Sequence, residues 1–130
     1  VERRLRLLLD THVLIWTLSD PDQLTTNARA AIEAEENDVF VSVVSPWELA
    51  IKGAREGLRF PDDLMTELDR LHFEFLPVLL RHTGPIESMP YHHRDPFDRM
   101  LVAQAVIDGL TIVTADRKLT SYQVSLLPAV

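Results

Sequence analysis

Val39-Phe40-Val41-Ser42-Val43-Val44-Ser45-Pro46-Trp47-Glu48 is the stretch on which the fold turns. Its first six residues, rich in β-branched side chains, form the clearest strand in the chain. Ser45-Pro46 then opens a helix to about residue 56, ending near Gly57. The same strand-into-helix pattern recurs on either side. Upstream, residues 5–9 are a short apolar run without helical spacing, as suits a strand covered on both faces. Val13, Leu14, Trp16 and Leu18 follow at helical spacing until Asp20-Pro21-Asp22 breaks the pattern. Residues 25–36 read as a second helix, with an acidic outer face and a turn at Asn37-Asp38.

Downstream, Pro61 opens a helix to about residue 71, and residues 73–80 hold a third strand, kept short by Pro77. Gly84, Pro85 and Pro90 leave residues 82–91 as a loop with at most a brief helix. Asp95-Pro96 begins a strongly apolar helix to Asp108, with Gly109 as its cap. Residues 110–114 form a fourth strand, 117–121 a helical turn, and 124–127 a weak last strand. Strands alternating with helices at these lengths predict an α/β fold, a parallel sheet with helices on both faces.

The 130 residues fit one domain spanning 1–130. Hydrophobic residues at 46% and charged residues at 25% argue against disorder. The absence of cysteine removes disulfides, zinc–thiolate sites and thiol catalysis, and fits a reducing, cytoplasmic setting. No run approaches 18 apolar residues, so no spanning helix is expected, and the Arg-rich start lacks the pattern of an export signal. Thirteen basic against 20 acidic residues, a net charge of −7, argues against a generic basic nucleic-acid binder. It leaves open a cluster of carboxylates gathered on a divalent cation.

Four acids fall where such a cluster would form, beyond the carboxyl ends of the strands. Asp10 follows the first strand directly, and Asp116 lies two residues past Thr114. Glu48 belongs to the first turn of the helix after the second strand, and Asp98 to the first turn of the apolar helix. Each has an ordinary structural explanation. Ser45-Pro46-Trp47-Glu48 reads as a capping box, and Glu48 is spaced to pair with Lys52. Asp95 is a natural N-cap with Asp98 as its reciprocal partner, and Asp10 and Asp116 could each cap a helix. Collectively the acids make less sense without a partner, because carboxylates meeting at one sheet edge repel. No lysine or arginine is obviously placed to neutralise them all. Mg²⁺ or Mn²⁺ prefers such oxygen ligands, and can activate water and stabilise a leaving oxygen in phosphodiester hydrolysis.

Leu7-Leu8-Leu9-Asp10-Thr11-His12, Ser45-Pro46-Trp47-Glu48-Leu49, the run from Asp95-Pro96-Phe97-Asp98-Arg99 to Ala105, and Thr111-Ile112-Val113-Thr114-Ala115-Asp116 resemble the motifs of PIN-domain proteins. The closest resemblance is to the VapC toxins of bacterial type II toxin–antitoxin modules. It implies a five-stranded parallel sheet in the order 3-2-1-4-5 and a Mg²⁺- or Mn²⁺-dependent endoribonuclease. It also implies a VapB-type antitoxin as partner and a homodimer. Carried over by position, the family's acids fall on Asp10, Glu48, Asp98 and Asp116, with Asp10, Asp98 and Asp116 toward the metal. The polar residue near the last acid falls on Thr114. Asp95 offers a second carboxylate near Asp98, and Asp98 is favoured because Asp95 is explained as a cap.

Thr11, His12, Lys52, Arg99 and Thr114 are candidate substrate contacts. Lys52, Arg55, Arg59, Arg94, Arg99, Arg117 and Lys118 follow the acidic motifs and would form a basic rim, unless they are ordinary mixed-charge surface. His92-His93 reads as solvated loop, and no zinc spacing is present. Trp47, Phe97 and Leu101 read as core. The helices around 13–18 and 64–71 offer apolar positions for a dimer or an antitoxin. The competing readings are a PIN-like module that binds RNA or protein without catalysis, and a phosphoacceptor receiver domain. The latter needs an acid at the end of the third strand, where this chain has Pro77.

Overall fold

Five parallel strands line up as β3-β2-β1-β4-β5 in the computed structural model, which describes residues 4–60, 63–90, 95–122 and 124–130. They are β1 (Arg6–Leu9), β2 (Asp38–Ser42), β3 (Glu74–Leu76), β4 (Thr111–Thr114) and β5 (Leu126–Pro128). Among the described residues six α-helices connect or flank them: α1 (Thr11–Ser19), α2 (Thr26–Glu33), α3 (Val44–Glu56), α4 (Leu64–Arg70), α5 (Leu80–Ser88) and α6 (Pro96–Asp108). Both the α/β class and the strand order are those expected.

The central strand explains the layering. Leu7, Leu8 and Leu9 are all fully buried. Successive strand side chains point to opposite faces, so three leucines in a row require cover on both sides. Leu7 and Leu9 pack with Val13, Leu14, Ala28 and Ile32, whereas Leu8 packs with Val44, Phe97, Leu101 and Ile112. Each buried leucine contributes about 1.5–3 kcal/mol of transfer free energy. Between β1 and β4, which pair Leu7 with Thr111 and Leu9 with Val113, the strand order reverses.

Several boundaries differ from expectation. β2 ends at Ser42, and Val43-Val44 turn directly into α3, so Ser45 is a buried helical residue and not a cap. The capping box therefore does not form. Ser42 takes over part of that task, its Oγ accepting from the Val44 N–H at 3.0 Å. Glu48 accordingly lies one turn into α3, beyond its first turn. α4 begins after an Asp63 cap, whose carboxylate accepts from the Thr66 N–H. Pro61, expected to open that helix, lies outside the described residues.

Residues 82–91 were expected as a loop with at most a brief helix, and α5 is longer than that, a nine-residue helix with Pro85 inside it. Tertiary anchors outweigh the missing proline N–H. At its start, His82 Nδ1 accepts from the Leu79 N–H at 2.9 Å and Nε2 reaches Asp108 Oδ2 of α6 at 2.8 Å. At its end, Arg99 of α6 donates to the carbonyls of Ile86, Met89 and Pro90. α6 matches its expected span, and Gly109 closes it at φ 68°, where a side chain would be strained. No helix among the described residues is long and apolar enough to cross a membrane.

Candidate active site

Asp10 leaves the end of β1, and Asp116 stands two residues beyond the end of β4. These strands are neighbours from which the chain departs in opposite directions, so their ends frame the crevice where α/β sheets bind ligands. A cleft of about 430 Å³ opens there. Six carboxylates line it, those of Asp10, Glu48, Glu56, Asp95, Asp98 and Asp116. Among the described residues Lys52 is the one lysine or arginine in its wall, and Thr11, His12, Trp16 and Ala115 also line it.

Asp10 is the most buried of these acids. Its Oδ1 accepts from the Val13 N–H at 2.8 Å, capping α1, and Oδ2 accepts from Thr114 Oγ1 at 2.5 Å. Thr114 Oγ1 in turn accepts from the Asp116 N–H at 3.0 Å, so one hydroxyl ties the ends of β1 and β4 together. Burial pushes the Asp10 carboxyl above the usual carboxylate range. Bonds from Thr114 and Val13, with smaller contributions from His12 and the Ala115 backbone, offset only part of that. Among the described residues no lysine or arginine pairs with Asp10. Such a carboxylate is a fitting place for a cation supplied from solution.

Glu48 is held from both sides. Thr11 Oγ1 donates to its Oε1 at 2.6 Å and Lys52 Nζ donates to its Oε2 at 3.1 Å. Lys52 also donates to Asp95 Oδ2 and lies 4.9 Å from the centre of the Phe97 ring. Burial would lower the Lys52 ammonium, but its bonds to Asp95 and Glu48 outweigh this and hold it above its usual value. Burial would likewise raise Asp95, and Lys52 together with the Phe97 N–H overrides that and keeps it low. Asp95 is the expected N-cap of α6, accepting from the Phe97 N–H at 2.9 Å, and is also a cleft residue.

The donor set consists of hard carboxylate oxygens without thiol, which suits Mg²⁺ or Mn²⁺ and not a thiolate metal. Among the described residues no three Asp, Glu or His side chains are drawn together as a ready-made ligand set. Both oxygens of Asp10 and of Glu48 rest on protein donors.

Of the expected site residues, Asp10, Glu48, Asp98, Asp116, Thr11, His12 and Lys52 line the cleft. Thr114 supports it from beneath through Asp10. Arg99 does not belong there. It is 4% exposed, and its guanidinium serves the carbonyls at the end of α5, so the expectation that it contacts substrate is corrected. Of the expected basic rim, Lys52 alone among the described residues lines the cleft. Arg94 and His92-His93 lie outside the described residues. Trp47 is not core but 52% exposed, edge-on to Phe97 with ring centres 4.8 Å apart, whereas Phe97 and Leu101 are buried as expected.

Glu56 and Trp16 were missed. Both carry a helical signal, Glu56 lying eight residues after Glu48 on the face that holds Lys52, and Trp16 one turn after His12.

The family model of the PIN domain matches residues 7–124 of this chain. Ribonuclease VapC22 of Mycobacterium tuberculosis is 29% identical over 120 residues, covering 90% of this chain and 92% of that protein. The structure of VapBC2 from Rickettsia felis, bound to a DNA fragment from its promoter, contains a chain with a similar fold. The TM-score is 0.68 at 14% identity, over 97% of this chain and 100% of that one. DNA-bound VapBC from Salmonella typhimurium gives a TM-score of 0.63 at 23% identity, over 95% and 98% of the two chains.

Proposed function

Because the chain belongs to the PIN-domain family, we propose that it is a Mg²⁺- or Mn²⁺-dependent endoribonuclease restrained by a VapB-type antitoxin. The observation that carries this reading is that, among the described residues, six carboxylates and one ammonium line a single cleft at the strand-order reversal. Asp10, Asp98 and Asp116 would hold the ion, which when bound supplies Lewis acidity for water attack and charge neutralisation at the scissile phosphate. Asp10 is oriented for this by Val13 and Thr114, and Glu48 by Thr11 and Lys52. Glu48, so held, orients water by accepting a hydrogen bond from it. His12, exposed at the cleft mouth, and Lys52 are placed to meet phosphate oxygens. No side chain needs to form a covalent intermediate.

The antitoxin reading draws on the assemblies named for the similar structures, and on an apolar groove that shares no lining residue with the acid cleft. That groove, about 240 Å³, is lined by Leu24, Ile32, Leu71 and Phe73, with Thr17 and Arg29 at its edge. A homodimer in the cytoplasm completes the reading, and the exposed Trp47 and Ile51, one helical turn apart on α3, are available apolar surface for it.

The test is direct. Purified protein incubated with RNA should cut it with Mg²⁺ or Mn²⁺, stop on addition of EDTA, and lose cleavage in Asp10→Asn. Cleavage that persists in that variant, or in EDTA, overturns the assignment.

A further inference from the structure

A second depression, of about 350 Å³, adjoins the acid cleft and shares Ala115 and Asp116 with it. Its chemistry is different. Leu126, Pro128 and Val130, from the edge strand β5 and the residues after it, give it an apolar lining, with Arg117 beside them. Val130 is 57% exposed and Arg117 is exposed, so apolar surface and a cation meet water side by side next to a carboxylate of the cleft.

We propose that this depression seats one nucleobase adjoining the phosphate held at the acid cleft, making it a base subsite that helps choose where the strand is cut. The inference rests on the ribonuclease reading. A nucleotide next to the scissile phosphate is covalently tethered to it, so its base must lie within one nucleotide of Asp116. Among the surfaces bordering that residue, this depression combines apolar walls with an arginine. Single-stranded RNA is recognised by splayed bases packed on apolar, aromatic or guanidinium surfaces. Here aliphatic side chains and Arg117 provide that surface without an aromatic ring, so selection rests on shape and apolar contact. β5 reaches the spot because it pairs with β4 in register, Thr114 opposite Pro128, which sets its end beside the end of the strand that leads to Asp116.

The experiment uses short single-stranded RNAs carrying one abasic nucleotide, walked across the cleavage point. Removing the base at one flanking position should raise KM about tenfold while kcat changes by less than about twofold. Removal farther away should have little effect. Val130→Asp, at an exposed position, should reproduce the KM loss on intact RNA and add nothing on the flanking abasic substrate. Equal losses at every position, or a Val130→Asp enzyme that behaves as wild type, overturn the subsite. If the protein cuts no RNA at all, the ribonuclease reading fails on its own. The depression is then decided by methyl NMR with an uncleavable 2′-O-methyl oligonucleotide. Shifts at the Leu126 and Val130 methyls of the wild type, lost at Leu126 in Val130→Asp, support it, and unmoved methyls overturn it.

Discussion

Lys52 and Asp95 form an ion pair inside the acid cleft, Nζ to Oδ2 at 2.5 Å, while the same ammonium lies 3.1 Å from Glu48. Each of the three side chains is more than three-quarters buried, so solvent screens them weakly. Lys52 thus neutralises part of a cleft that must also attract a cation. Lys52→Met should therefore tighten Mn²⁺ binding several-fold, because one repelling charge is gone. It should also cost about 1–2 kcal/mol of metal-free stability by leaving Glu48 and Asp95 unpaired. Calorimetric titration with Mn²⁺ decides the first point. Weaker binding in the variant would mean that Lys52 organises the ion's ligands more than it competes with the ion.

Asp10 carries the opposite sign. Its folded pKa is raised by burial above its unfolded value, near 3.9, so the folded state holds the proton more tightly. Stability then falls as pH rises from the unfolded value through the folded one, and the full penalty is present above both. Asp10→Asn, which keeps an oxygen for the Val13 N–H, should melt higher than metal-free wild type at neutral pH. That advantage should vanish on acidifying below about pH 4. Adding Mg²⁺ or Mn²⁺ should raise the melting temperature of wild type and leave the variant unmoved. A variant less stable than wild type at pH 7 without metal would show that the carboxylate is not strained by its surroundings.

The sheet was legible because its signals are local and mutually consistent. Leu7-Leu8-Leu9 demands cover on both faces, and Gly109 marks the end of α6 by backbone geometry alone. The acids at the strand ends were legible for the same reason, since strand ends place them whatever the side chains do. What sequence did not disclose depends on contacts distant along the chain. Ser42 caps α3 while also bonding Gln104 Oε1 at 2.6 Å, a partner 62 residues away, and so displaces the local capping box at Ser45. α5 forms despite Pro85 because residues of α6 hold both of its ends. Arg99 sits beside Asp98 in sequence, yet its neighbours on a buried helix face opposite tasks, one toward the cleft and one toward α5. Trp47 followed the apolar pattern of core but faces outward, which single-residue hydrophobicity cannot distinguish.

Arg99 should matter for stability and not for substrate. Its guanidinium reaches three carbonyls, those of Ile86, Met89 and Pro90, with the fork geometry that lysine lacks. Arg99→Met should destabilise the fold by about 1–3 kcal/mol, because the partly buried carbonyls of Met89 and Pro90 lose their charged donor and that of Ile86 keeps only the Met89 N–H. Arg99→Lys should recover only a minor part. Urea denaturation gives the stabilities. Mn²⁺ affinity, measured on whichever variant stays folded, should match wild type. A large change in that affinity with stability intact would return Arg99 to the cleft.

Asp108 sets the acid sensitivity of the junction between α5 and α6. Burial would raise its carboxyl, but the bonds from His82 and Arg81 override this and hold it below the usual range. His82 Nδ1 accepts from the Leu79 N–H, so it is Nε2 that carries the proton donated to Asp108. An acid unfolded near 3.9 and lower when folded stabilises fully above the unfolded value, and that contribution is lost as pH falls through the folded one. Asp108→Asn should therefore be less stable than wild type at pH 7 but lose less on acidification between about pH 5 and 3. Urea midpoints measured across that window supply the check. Parallel curves for the two proteins would show that protonation of Asp108 is not coupled to folding, and that His82 and Arg81 do not stabilise its charge.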